Sequence, residues 1–174
     1  MTNRKMLGLS VAAITLAALL LTIGSDVAVA QVVASATGSG QIHASGGYRT
    51  FTFSAQTDSS GLTTGVTQGF NRGLPFAWQG NINCLDVEGN VATMSGFVTS
   101  ANPDPGPGGI TVGSPLVFQV IDNGQGKNSP PDLISLTFFN PPSGPPFPCL
   151  QSVDGIFANI PIEHGNVTVH KTKQ

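Results

Sequence analysis

The sequence predicts an all-β domain, a single closed or nearly closed antiparallel β-barrel or sandwich of about eight to ten short strands. Three observations predict it. Apolar and polar residues alternate at a two-residue period, as strands with one buried face require. Clusters of Gly, Pro, Asn and Asp punctuate those runs at short intervals. After residue 30, no stretch shows the spacing of an amphipathic helix. Strands this short and numerous must cover their edges to stay soluble, so closure is expected.

Residues 1–30 read as a removable signal peptide, a helix ahead of the domain. Arg4 and Lys5 stay cytoplasmic, the run from Met6 to Gly24 partitions into the membrane, and Ala28 and Ala30 fit a peptidase that cuts before Gln31. The apolar run is long enough to span a bilayer, but the small-residue ending favours cleavage. Residues 31–174 are then one domain. No cysteine waits at the cut to take a lipid, and residues 167–174 carry no apolar tail. The expected product is secreted or extracellular, or periplasmic where the host has an outer membrane, with no permanent membrane anchor.

Strands are expected at 32–36, 40–43 and 49–55, the last placing Phe51, Phe53 and Ala55 on a buried face and Thr50, Thr52 and Ser54 on a wet one. A strand at 65–72 follows. From 76 to 84 the even positions Phe76, Trp78, Gly80, Ile82 and Cys84 read as the inner face, after which the apolar parity moves to Leu85 and Val87. A β-bulge near Cys84 accounts for the flip. Gly89 and Asn90 make a tight hairpin turn into a partner strand at 91–99. Further strands are expected at 115–121, 132–139, 153–162 and 167–170. Two connections, 100–114 and 140–148, are long and rich in Pro and Gly.

Charge is scarce. Without Arg4, Lys5 and Asp26, the exported part keeps five Lys or Arg and eight Asp or Glu. That excludes the basic field a nucleic-acid partner needs. Export places Cys84 and Cys149, the two cysteines of the chain, in an oxidising compartment where they are expected to pair. Closing a loop of that length stabilises a fold by about 4 kcal/mol.

The nucleophile elbow, the zinc-protease helix, the P-loop and the dinucleotide fingerprint are all absent from the sequence. Candidate sites therefore rest on side-chain chemistry outside those motifs, and no cofactor is expected. Asp122 and Asn123, with Asp132 beyond them, offer oxygens of the type calcium takes. If first and last strands pair, His43 and His170 could share a zinc ion. Asp86 and Glu88 lie two apart on one strand, and read as solvated edge charges before they read as a glycosidase pair. Trp78 shares the apolar parity of Phe76 and Ile82 and belongs to the core, whereas Tyr48, after two glycines, is freer to serve as an exposed binding platform.

Several segments resemble one family in order along the chain. They are Gly38-Ser39-Gly40-Gln41-Ile42 with Gly46-Gly47 and Thr50-Phe51-Thr52-Phe53, then Gly89-Asn90-Val91-Ala92 leading to Ser95-Gly96. They continue with Val120-Ile121-Asp122-Asn123-Gly124 and Asp132-Leu133-Ile134-Ser135-Leu136, and close with Gly165-Asn166-Val167-Thr168-Val169-His170. Together they are similar to the bacterial exported modules called post-COAP-1 domains. The two Pro/Gly insertions, around 102–109 and 141–148, and the cysteine pair depart from that pattern. The resemblance implies a small secreted β-domain and brings no active site with it.

Function is expected to be that of a non-catalytic secreted module, binding or structural, whose partner is a cell-surface glycan or protein. Recognition is expected on the two long loops, since binding residues concentrate on loops held by a rigid scaffold. The alternative is an exported hydrolase acting on an extracellular polymer, with its carboxylates or histidines gathered around a concave site.

Overall fold

The computed structural model describes residues 30–44, 46–126, 128–149 and 160–172. Residues 1–29 of the expected signal peptide, and 153–159 of the strand expected at 153–162, lie outside them. Described are ten antiparallel strands in one sheet. They are β1 (Val32–Ala44), β2 (Gly47–Asp58), β3 (Thr63–Asn71), β4 (Phe76–Glu88), β5 (Val91–Asn102), β6 (Pro115–Ile121), β7 (Leu133–Ile134), β8 (Phe138–Phe139), β9 (Ile160–Pro161) and β10 (His164–Lys171). Their order is β10-β1-β2-β3-β4-β5-β6-β7-β9, with β8 also beside β6. The all-β prediction is met.

The strands expected at 32–36 and 40–43 are one continuous strand. Gly38 and Gly40, which look like breakers, face inward beneath Phe53 and Phe51. A Cβ on Gly38 would lie 2.7 Å from the Phe53 ring. Glycine there makes room for the aromatic core and keeps the pairing intact.

The bulge near Cys84 is present: Ile82 faces Gly96 and Cys84 faces Ser95, leaving Asn83 without a partner. Its consequence corrects one expectation. Cys84 lies on the outer face, beside Ser95, because the extra residue turns the chain over before Cys84. Leu85 and Val87 then resume the inner face. The strand expected at 132–139 is divided between β7 and β8 by an irregularity at Ser135. The Ser135 backbone N–H donates to the Gln119 carbonyl, and its hydroxyl accepts the Gln119 N–H at 2.9 Å, in place of a main-chain carbonyl.

Inward residues of seven strands, among them Phe53, Trp78, Ile82, Met94, Phe118 and Val167, form one buried cluster. Each large side chain so buried contributes about 1.5–3 kcal/mol. Inward cations mark the two ends. Arg49 lies opposite Ile42 and Asn71 near one mouth, and Lys171 reaches over the other, its Nζ donating to the Val87 carbonyl at 2.7 Å.

The sheet curls until its ends nearly meet, and the chain itself crosses the gap between β9 and β10. The Ile162 N–H donates to the Asp132 carbonyl on one side, and the Glu163 N–H to the Gln41 carbonyl on the other. Beyond that crossing, carboxylates replace the missing ladder. Asp132 Oδ2 accepts the Val167 N–H at 2.8 Å and Asp122 Oδ2 accepts the Val169 N–H at 3.0 Å. Two alternate N–H groups of β10 are thus satisfied by side chains across the seam.

The disulfide expected between Cys84 and Cys149 is formed, with Cα atoms 5.7 Å apart. It ties the segment after β8 to the outside of β4, with Cys149 Sγ 3.8 Å from the Thr93 carbonyl. Thr93, Ser95 and Val117 point away from the core, yet all are buried.

Candidate functional site

Strand register places outward side chains of β1 to β5 in rows that cross the sheet. Ser39, Thr52, Gln68, Gln79 and Ser100 lie opposite one another in the central row. On one side run Gln41, Thr50, Phe70, Ala77 and Asn102; on the other, Thr37, Ser54, Val66, Asn81 and Phe97. None of these fifteen residues is ionisable. The scarcity of charge is therefore local: described Lys, Arg, Asp and Glu residues sit in turns, at mouths and along the seam.

Two cavities lie on this face. One, of about 500 Å³, is lined chiefly by Thr50, Thr52, Gln68, Phe70, Gln79 and Asn102. A second, of about 350 Å³, shares Thr52, Gln68 and Gln79 and extends to Ser54 and Val66. The shared residues make them one shallow groove. Phe70 is 40% exposed and Val66 65%, so both present apolar surface to solvent. Among the described residues, the side chains of Thr52, Gln68, Gln79 and Ser100 make no hydrogen bond to other protein groups. They are open to a ligand. Hydroxyls both donate and accept, and primary amides carry a donor and an acceptor together, so the groove suits a partner rich in neutral hydroxyl groups.

The expected sites fall elsewhere. Asp122, Asn123 and Asp132 are brought together along the seam. Asp132 Oδ1 accepts the Asn123 N–H at 2.9 Å, Asp122 Oδ1 accepts the Gly124 N–H at 2.8 Å, and the other oxygen of each holds β10. Backbone N–H dipoles directed at all four oxygens oppose a calcium ion at that place. His43 and His170 are separated. His43 faces Tyr48 at one end of β1 while His170 faces Ser35, eight residues along the strand and about 26 Å away. Among the described residues, no group of three His, Cys, Asp or Glu could hold a metal.

Tyr48 is 44% exposed and its ring meets that of His43 edge to face, the centroids 5.0 Å apart. It stands beyond the groove, nearer the mouth. Trp78 is in the core, edge-on to Phe139. Asp86 and Glu88 lie at the far end of β4, and among the described residues no carboxylate lines the groove.

The long loops serve as cover. In the first, Gly106 lies against Phe76 and Ile110 packs on the core. The second is tied at Asn140 to the Pro115 carbonyl and at Cys149 by the disulfide. Scarce charge in the sequence excludes charged partners without naming a neutral one; the sequence signal for the groove is neutral polar residues at every second position of 50–54 and 79–83, with Thr64 and Gln68 on the strand between.

Comparison with protein-family models, with curated proteins and with solved structures finds no match to this chain. Among the described residues, no helix is long and apolar enough to cross a membrane.

Proposed function

We propose that the chain is a non-catalytic, exported binding module of the cell exterior that takes a neutral glycan on the outer face of β2 to β5. The observation that carries the reading is the groove itself, with open amides and hydroxyls on its floor, Phe70 and Val66 beside them, and no ionisable group among the described residues of its lining. Sugars present hydroxyl edges and apolar ring faces, and this lining offers partners for both. The disulfide accords with an oxidising compartment outside the cytoplasm. The signal-like residues 1–30 and the resemblance to post-COAP-1 domains support the same setting. Hydrolysis of a polymer is disfavoured here because acid–base chemistry needs positioned titratable groups, and Asp86, Glu88, Asp122 and Asp132 stand away from the groove.

A glycan array tests the reading. The protein should retain at least one neutral glycan, and Gln68→Ala together with Gln79→Ala should weaken that binding by about tenfold or more without lowering the melting temperature. Undiminished binding by the double variant would move the site away from the groove.

A further inference from the structure

The rows decide how a ligand can lie. Across the strands, the central row offers hydroxyl and amide groups at every step from Ser39 to Ser100. Along a strand the chemistry changes from step to step: on β3 the outward residues run Thr64, Val66, Gln68, Phe70. The rows flanking the centre carry Phe70 and Ala77 on one side and Val66 and Phe97 on the other, so a polar floor runs between two partly apolar walls.

The row also has two ends. Beyond Ser39 the next residue is Asn166 on β10, whose amide oxygen is taken by Gln125. Beyond Ser100 the described sheet has no further strand, because β6 begins opposite Phe97. Five strands span about 19 Å, at about 4.8 Å per step, which is longer than one sugar ring.

We propose that the occupant is a neutral polysaccharide chain lying across β1 to β5, its hydroxyls bonded along the central row and its apolar ring faces set against Phe70 and Val66. This rests on the glycan-binding reading above and goes beyond it in naming a polymer, a direction and a length. Neutrality follows from matching. An anionic chain would lose hydration over a floor with no cation to replace it, and a cationic chain would find no carboxylate.

Calorimetry with cello-, xylo- and malto-oligosaccharides, from dimer to hexamer, tests it, with oligogalacturonate as the charged probe. In one neutral series affinity should rise about tenfold or more with length and then level off. Ser39→Glu, at the far end of the row, should remove most of that gain while sparing the dimer. Gln56→Glu, on β2 but off the three rows, should change nothing; both are surface positions whose folding is checked by circular dichroism. Length-independent binding that is still lost in the Gln79→Ala variant would keep the groove and overturn the extended chain. Preference for oligogalacturonate would overturn the neutral occupant. No binding in any series would overturn both readings. A dimer seen by sedimentation and broken by Ser39→Glu would assign the face to a second copy of the chain instead.

Discussion

Asp132→Ala should cost the fold about 3–5 kcal/mol, a large part of the roughly 5–15 kcal/mol typical of a domain. Asp132 is 7% exposed, and its carboxylate accepts one N–H from each side of the seam. Its removal leaves the Val167 N–H buried without an acceptor, which carries the full desolvation penalty of the group. Asp132→Asn separates charge from volume. Its amide fills the same space but turns an NH₂ toward one of two N–H donors, so a loss of about 2–3 kcal/mol is expected. Asp122→Ala, half-buried, should lose less. Urea unfolding measures all three. A calcium loop predicts instead that added chelator destabilises the parent protein, whereas the seam predicts no effect of chelator.

Opening the Cys84–Cys149 bridge should lower stability by about 4 kcal/mol and the melting temperature by about 10–15 °C. The bond closes a separation of 65 residues, containing β5 to β8 and both long loops. Reduction releases that constraint in the unfolded chain and frees residues 140–149 from the outside of β4. The paired Cys84→Ser and Cys149→Ser variant should match the reduced protein. An unchanged transition would mean that packing alone holds the segment.

Local signals carried most of the fold. Alternation at 49–55 places Phe51 and Phe53 inward as observed, and the parity change between Ile82 and Leu85 locates a bulge. It cannot say whether the extra residue precedes or follows Cys84, and that decides which face the cysteine takes. Gly38 and Gly40 look like breakers for a related reason, since a glycine that breaks a strand and one that admits a neighbouring ring are alike in sequence. The seam was beyond reach. Asp132 meets Val167 across 35 residues and Asp122 meets Val169 across 47. Such contacts exist only once β10 has returned beside β1. The groove lies between these cases: its residue types alternate visibly within each strand, but their alignment as Ser39, Thr52, Gln68, Gln79 and Ser100 depends on four registers.

The most direct measurement is a map of amide and side-chain NMR shifts as a neutral oligosaccharide that binds on the array is titrated into the labelled protein. The largest changes should fall on the side-chain amides of Gln68 and Gln79, with smaller ones on Thr52, Phe70 and Ser100. Changes confined to residues 103–114 and 140–149, with Gln68 and Gln79 unmoved, would contradict a binding face on the sheet and return recognition to the loops.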